Sequence, residues 1–479
     1  MPLKNLYRDS LSLLTDFYQL TMAYAYWKKG IADREAVFHL FFRKRPFGGG
    51  FAISAGLETA LEFLSSFSYD NQDLSYLEQL KFEPAFLDYL SKLRLTCSVD
   101  AMPEGTVLFP YEPMLRVQGP LLQAQLLESP LLNLINFQTL IATKAARIVQ
   151  AAHPDPVIEF GMRRAPGIDG ALAAARGAFI GGCQATSNVL AGKLYGIPVK
   201  GTHAHSWILS FDEEQEAFAA YADALPEQCI FLVDTYQTLA GVKKAIAVGK
   251  KMRERGVEMG GVRIDSGDLA HLSIEIRKLL DEAGFPNAHI MASNELDEMI
   301  IKDLKHQGAK ISVWGVGTNL VTGKDQPALD GVYKLSAIKD SSGKFAYKLK
   351  ISEQLAKITN PGIHQVRRYF DKEGNLADLI YDLGMPPPVE PTCIDPLDPT
   401  RKQVISSGWN YEDLLIPVFR EGKSVYQSPS LVQIQQRVKE QLERFHPSIR
   451  RFLYPHPYFV GLDRSLYELK LNLIQTLYK

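Results

Sequence analysis

Six short apolar runs, each ending among polar residues, set the tightest limit on what this chain can fold into. They are Val157-Ile158-Glu159-Phe160, Ile197-Pro198-Val199-Lys200, Ile230-Phe231-Leu232-Val233, Gly261-Val262-Arg263-Ile264, His289-Ile290-Met291-Ala292 and Ile311-Ser312-Val313-Trp314. Runs this short and this apolar suit buried strands. They begin roughly 20 to 40 residues apart, and most gaps carry a helical pattern, as in Thr238 to Arg255 and Leu269 to Ala283. The segment therefore reads as successive parallel β/α units, which close into a barrel or open into a doubly wound sheet. The polar residues at the end of each run favour the barrel. Phe160 leads to Gly161-Met162-Arg163-Arg164, Val233 to Asp234-Thr235, Ile264 to Asp265-Ser266-Gly267-Asp268, Ala292 to Ser293-Asn294 and Trp314 to Gly315-Val316-Gly317-Thr318. A β/α barrel brings the carboxyl ends of all its strands to one mouth, whereas a doubly wound sheet gathers fewer at its switch point. The expected fold class is α/β, with an irregular β/α barrel at its centre.

The second run continues as GTHAHSW, residues 201–207. In one reading His205 is a reacting group; in the other both histidines are satisfied core or turn residues, the common state of an isolated pair. His203 shares a face with His205 only if the strand persists through it, and is given no catalytic role. The mouth as a whole holds cations (Arg163, Arg164, Arg263), acids (Asp234, Asp265, Asp268), glycine turns and hydroxyls. Cations and exposed backbone N–H groups, as in the GVGT turn at 315–318, suit phosphate. The DSGD stretch suits ribose hydroxyls, magnesium or both, or else an N-cap with a solvated acid. Together they favour a phosphorylated sugar as ligand.

Elsewhere the signals are more local. Residues 11–30 read as a helix with Leu13, Leu14, Phe17, Leu20 and Tyr24 on one stripe and Asp16 and Tyr18 off it. Ala36 to Phe42 reads as a strand running into Arg43-Lys44-Arg45-Pro46-Phe47 and three glycines, either an anion cradle or a solvated turn. Helices are expected over 56–67, 73–95 and 130–151, with a small β-rich unit between 101 and 130. Later come strands at 332–335 and 345–349, a proline connector at 386–388 and a helix over 427–446. The tail to Lys479 suggests no chemistry.

A chain of 479 residues needs two or three domains. The expected division is an N-terminal α/β domain over 1–150, a barrel over 151–335, and a return to the first domain with an extension over 336–479. Lys plus Arg (53) nearly cancels Asp plus Glu (54), which argues against nucleic-acid and membrane-surface binding. Cys97, Cys183, Cys229 and Cys393 are scattered with no C-x-x-C pair, as in a reducing compartment, and support neither disulfides nor zinc. The stretch MPLKNLYRDSLSLLTDFYQL lacks the apolar core of a signal peptide, and no stretch approaches a membrane span, so a cytoplasmic protein is expected.

FGMRR (160–164), GGCQATSN (181–188), GTHAHSW (201–207), LVDTY (232–236), RIDSGD (263–268), ASNELDE (292–298) and GVGTNL (315–320), preceded by TDFYQLTMAY (15–24) and FRKRPFGGGF (42–51), closely resemble the nicotinate phosphoribosyltransferase family. The resemblance spans residues 10 to 365. It implies the type II phosphoribosyltransferase fold: a split N-terminal α/β domain, an irregular β/α barrel and, here, a C-terminal extension, in a homodimer with shared active sites. It implies the joining of nicotinate to 5-phosphoribosyl 1-diphosphate, giving nicotinate mononucleotide and diphosphate, the first step of NAD salvage from nicotinate. It further implies ATP hydrolysis coupled through a phosphohistidine at His205, with magnesium as cofactor.

Carried onto this sequence, the resemblance makes His205, Asp265, Asp234 and Arg263 catalytic, with Asp265 also the magnesium ligand. Phe160 and Tyr18 sandwich the pyridine ring, Tyr18 from the partner subunit. Arg163 lies beside ring and phosphates, while Ser293, Asn294, Gly315, Gly317 and Thr318 take the 5-phosphate, and Arg43 and Lys44 the diphosphate. Asp16 and Thr202 are further substrate contacts. Ser187 stands where nicotinamide-using relatives carry an aspartate, which favours an acid substrate. Rival readings are a nicotinamide or quinolinate enzyme, a non-catalytic nucleotide-binding barrel, and a barrel aldolase or isomerase; no lysine in an evident Schiff-base position supports the last.

Overall fold

The computed structural model describes residues 10–477. Its elements pack as two units, one made of the described residues up to Leu140 together with those from Ala328 on, the other of Ile141–Pro327.

The first unit is built around an antiparallel sheet that draws on both halves of its chain. The apolar strand Glu35–Phe41, EAVFHLF, is buried along all but its ends. It pairs with Leu115–Pro120 on one side and Val332–Lys339 on the other, so residues nearly 300 apart in sequence share a ladder. Outer strands at Ser98–Ala101 and Ile416–Arg420 extend it. This is the split α/β domain expected from the sequence.

Helix bounds differ modestly from the expected ones. The first helix is Phe17–Lys28, and the 73–95 stretch splits into Asn71–Gln79 and Pro84–Lys92, because Lys81 takes a left-handed φ of 69° and Pro84 starts a new first turn. The C-terminal region forms a second sheet in which strand Phe459–Asp463, from the unassigned tail, lies parallel to Asn375–Asp382. Helix Arg464–Leu477 comes directly after it.

Beneath this second sheet lies a buried carboxyl group, Glu112, whose Oε2 accepts from the Phe109 N–H at 2.9 Å. Burial, and then the neighbouring Asp378 carboxylate, push its pKa well above the ordinary 4.5. Above that pH the unfolded chain releases this proton while the folded chain keeps it, so stability falls as pH rises. Glu112→Gln removes that loss, and its amide can donate toward Asp378 while accepting from Phe109. Urea titrations should show the variant gaining on the parent at pH 7.5 but not at pH 4; a loss at pH 7.5 contradicts the assignment.

The second unit carries six parallel strands: β1 (Val157–Glu159), β2 (Ala185–Thr186), β3 (Ile230–Leu232), β4 (Gly261–Ile264), β5 (His289–Ala292) and β6 (Val313–Val316). Their hydrogen-bonded order is β2-β1-β6-β5-β4-β3. The irregularity expected of the barrel takes a definite form here. The Ile197–Lys200 run makes a single bridge, Val199 to Thr186, because Pro198 has no N–H with which to extend a ladder. Two residues of the GGCQATSN stretch supply the regular strand instead. β6 starts two residues later than its apolar run, so Gly315 and Val316 lie inside the strand. Among the described residues no backbone ladder joins β3 to the Val199 segment, so the six strands do not form a closed hydrogen-bonded barrel.

Candidate active site

Several strands are prolonged by one backbone bond past their last regular residue. Phe160 N donates to Val316 O at 2.8 Å, Ser187 N to Glu159 O at 2.9 Å, Val233 N to Arg263 O at 3.1 Å and Ser293 N to Ile264 O at 3.0 Å. The residues with chemistry therefore stand on the last rung of the sheet, at heights fixed by the ladder rather than by loop packing. They surround a cleft of about 280 Å³ lined by Phe160, Arg163, Arg164, Ser187, Gly201, Thr202, His203, Ala204, Arg263, Asp265, Ser293, Asn294, Glu295, Gly315, Gly317 and Thr318.

Of the candidates in this unit, His205, Asp234 and Asp268 stand outside that lining. His205 opens the short helix His205–Leu209, one residue beyond Ala204, and its Nδ1 lies 3.0 Å from Thr235 Oγ1. Asp234 sits behind Asp265: its Oδ2 accepts from Asp265 N and from Ser266 Oγ, each at 2.7 Å, and its buried Oδ1 has no hydrogen-bond partner. Asp265 in turn accepts from Ser293 Oγ at 2.5 Å, leaving Oδ2 without a hydrogen bond. Asp268, the second acid of DSGD, caps helix Leu269–Glu282 through His271 N.

Arg263 crosses the cleft wall to donate from Nη1 to Thr202 Oγ1 at 2.5 Å. Burial lowers its pKa, Asp265 and Asp234 oppose that shift, and Arg163 reinforces it. A charge-balanced cluster of two arginines and two aspartates results, suited to a ligand with both anionic and hydroxyl groups.

Shape is set by glycine at one point above all. A Cβ on Gly315 would come within 2.6 Å of the Phe160 ring, so the ring packs against β6 at this point only because residue 315 has no side chain. Directly after Ser293, Asn294 holds a φ of 135°, a region that side-chain-bearing residues rarely enter; its own Oδ1 accepts from Glu295 N at 2.8 Å.

The sequence reading missed three supports. Glu159, last residue of β1 and 1% exposed, accepts from Thr186 Oγ1 at 2.5 Å and from the Gly161 N–H, tying together the turns that carry Phe160 and Ser187. Burial raises its pKa, and those two bonds pull it back. An acid inside the run VIEF was the available signal. Thr235 and Glu295, the latter accepting from Thr318 Oγ1 at 3.3 Å, are the other two.

The remaining candidates belong to the first unit. Tyr18 is 48% exposed on helix Phe17–Lys28. Asp16 precedes that helix and accepts from Ser129 Oγ at 2.6 Å. Arg43 and Lys44 line a separate cavity of about 460 Å³ with Arg45, Tyr111, Asp395 and Arg401.

Parallel strands whose carboxyl ends surround a polar cleft of arginines, acids, hydroxyls and glycine turns define an α/β protein of the strand-end type, built for a phosphorylated, hydroxyl-bearing ligand. Three family profiles match in succession: the nicotinate phosphoribosyltransferase N-terminal domain over residues 13–136, the nicotinate phosphoribosyltransferase family over 156–346 and its C-terminal domain over 363–470. The nicotinate phosphoribosyltransferase of Bacillus subtilis is 44% identical over 472 residues, 97% of this chain and 96% of the relative. That of Caenorhabditis elegans is 37% identical over 530 aligned positions, covering 96% and 93%. The crystal structure of human nicotinic acid phosphoribosyltransferase superposes with a TM-score of 0.84 at 33% identity, over 96% of this chain and all of that one. The chain belongs to the nicotinate phosphoribosyltransferase family. No helix among the described residues is long and apolar enough to cross a membrane.

Proposed function

We infer that this enzyme joins nicotinate to 5-phosphoribosyl 1-diphosphate, releasing nicotinate mononucleotide and diphosphate, in the salvage of nicotinate toward NAD. The observation that carries the reading is the convergence of Phe160, Arg163, Ser187, Arg263, Asp265, Ser293 and Thr318, from separate strand ends, on one cleft. Phe160 supplies a flat face for the pyridine ring, and Ser187 presents no carboxylate to repel nicotinate. Departure of diphosphate leaves positive charge on the ribose, which the Asp265 carboxylate stabilises, while Arg163 and Arg263 offset the charge of the leaving group. Ser293, Asn294 and the Gly315 to Thr318 turn offer hydroxyl, amide and backbone donors to the 5-phosphate.

Asp265, with an oxygen free of hydrogen bonds, and Asp234, with a buried unpartnered one, form a donor set that fits a magnesium ion keeping most of its ligands from substrate and water. A magnesium ion held by these residues would supply positive charge to offset that of the departing diphosphate. The Asp265 side of this pair faces the cleft lining.

His205 is the acceptor for the γ-phosphate of ATP. With Nδ1–H donating to Thr235, Nε2 holds the lone pair; the N–P bond forms there as the terminal P–O bond of ATP breaks and ADP leaves. Tyr18 of the partner subunit closes the ring sandwich in a homodimer. Support for the dimer comes from exposed apolar side chains, Met162, Ile168, Val189, Leu190 and Leu194 on the barrel unit and Leu14 and Phe17 on the other. Four buried cysteines, none in a disulfide among the described residues, suit a cytoplasmic setting.

Purified protein given nicotinate, 5-phosphoribosyl 1-diphosphate, magnesium and ATP should release nicotinate mononucleotide, with nicotinamide and quinolinate turned over far more slowly. His205→Ala should abolish stimulation by ATP; preference for nicotinamide, or stimulation unchanged in the variant, overturns the corresponding part. Gly315→Ala drives a methyl group into the Phe160 ring and should lower kcat/KM for nicotinate about 10- to 100-fold, the scale of a displacement near 1 Å. An unchanged KM for nicotinate would mean that Phe160 does not orient the ring.

A further inference from the structure

The open side of the barrel is bridged by a side chain. β3 is an edge of the six-strand ladder, and the Ile197–Lys200 segment is bonded to β2 alone, through Thr186 N to Pro198 O and Lys200 N to Thr186 O, each at 3.0 Å. An unpaired N–H on a buried edge is costly. Here the N–H of Leu232, last residue of β3, donates to Nε2 of His203 at 3.2 Å. The ring is 7% exposed, with Tyr221 edge-on at 4.8 Å, and its Nδ1 lies 3.4 Å from the Ala204 carbonyl oxygen. Both nitrogens are therefore assigned: Nδ1 carries the proton and Nε2 accepts. Burial also holds the imidazole neutral, its pKa pushed down to about 4.

This bond lies next to the proposed phosphate acceptor on both chains it joins. Two residues beyond His203 is His205; three beyond Leu232 is Thr235; and those two meet at 3.0 Å. Leu232 to His203 and Thr235 to His205 form a two-rung ladder of side-chain bonds where the backbone ladder is missing. Because the acceptor is a side chain, the backbone of Gly201, Thr202 and Ala204 is not taken up in strand pairing and stays in the cleft lining.

We propose that His203 is a positioning residue, whose acceptance of the Leu232 N–H fixes the 201–205 loop against β3 and so sets His205 for phosphoryl transfer. The proposal rests on His205 as the phosphate acceptor and adds to it a residue which that role does not itself require.

The test compares His203→Gln, which can place an amide oxygen near the site of Nε2, with His203→Leu, which keeps bulk and removes the acceptor. The readouts are the rate at which labelled γ-phosphate from ATP enters the protein, the ratio of product formation with and without ATP, and hydrogen exchange at the Leu232 amide. His203→Leu should slow labelling about tenfold or more, bring the ratio toward one and speed Leu232 exchange; His203→Gln should restore all three to within about threefold of the parent. A folded His203→Leu protein labelled at the parent rate overturns the proposal. If the leucine variant does not fold, the glutamine variant decides: retained labelling with a protected Leu232 amide supports the role, and lost labelling with that amide protected overturns it. Failure of the underlying reading shows separately, as ATP stimulation and labelling that survive His205→Ala.

Discussion

Asparagine in place of Asp265 should lower kcat about 10²- to 10³-fold with little change in unfolding temperature. The fold tolerates the change because each contact of the carboxylate has an amide equivalent: Ser293 Oγ, which now donates to Oδ1 at 2.5 Å, can equally accept from an amide N–H. The Asp265 backbone N–H to Asp234 is untouched. What is lost is one negative charge at the cleft surface, beside two arginines. In a reaction whose transition state gathers positive charge on the ribose, that charge acts more strongly in the transition state than in the bound substrate, so the loss belongs in kcat. Steady-state kinetics with thermal unfolding separate the outcomes. A rise in KM for 5-phosphoribosyl 1-diphosphate with kcat intact would reduce Asp265 to a ribose contact.

The carboxyl ends of the strands were legible because a buried run that stops at polar residues marks both the strand and its direction. That pattern alone places Phe160, Ser293 and Thr318 at one mouth. What the pattern could not carry was pairing. β2 has two regular residues, too few for a periodic signal, while the better-looking run at Ile197–Lys200 is kept from a regular ladder by Pro198. Glu159 was visible only as an acid in an apolar run; its partner Thr186 lies 27 residues on, and nothing local announces the bond. His203 shows the same limit from the other side: it is visible as half of a His-x-His, but its meaning depends on an edge N–H 29 residues away. Likewise the tail strand Phe459–Asp463 is defined by its neighbour Asn375–Asp382 rather than by its own alternation.

The largest stability effect should come from a pair that no local pattern reveals. Arg368 and Asp378 face each other across the antiparallel pair His364–Phe370 and Asn375–Asp382, and both side chains are fully buried. Arg368 Nε reaches both carboxylate oxygens, at 2.9 and 3.1 Å, and Nη2 reaches Oδ2 at 2.5 Å. The remaining donors go to Val107 O at 2.9 Å and Gln441 Oε1 at 3.2 Å, and Tyr458 donates to Asp378 Oδ1 at 2.9 Å. The pair thus fastens the hairpin to the short strand Val107–Leu108, to helix Leu431–Glu443 and to the tail. Asp378→Ala leaves a fully buried guanidinium that cannot shed its proton, which should cost about 3 to 5 kcal/mol. Against a total stability of about 5 to 15 kcal/mol, that is enough to bring the protein near unfolding. Replacing both residues, Arg368→Met with Asp378→Leu, removes the stranded charge and should recover most of the loss, because desolvating two ions offsets much of their attraction. Urea midpoints for the single and double variants decide the matter: a double variant as weak as Asp378→Ala would mean that the hydrogen bonds to Val107, Gln441 and Tyr458, rather than relief of an unpaired charge, dominate this site.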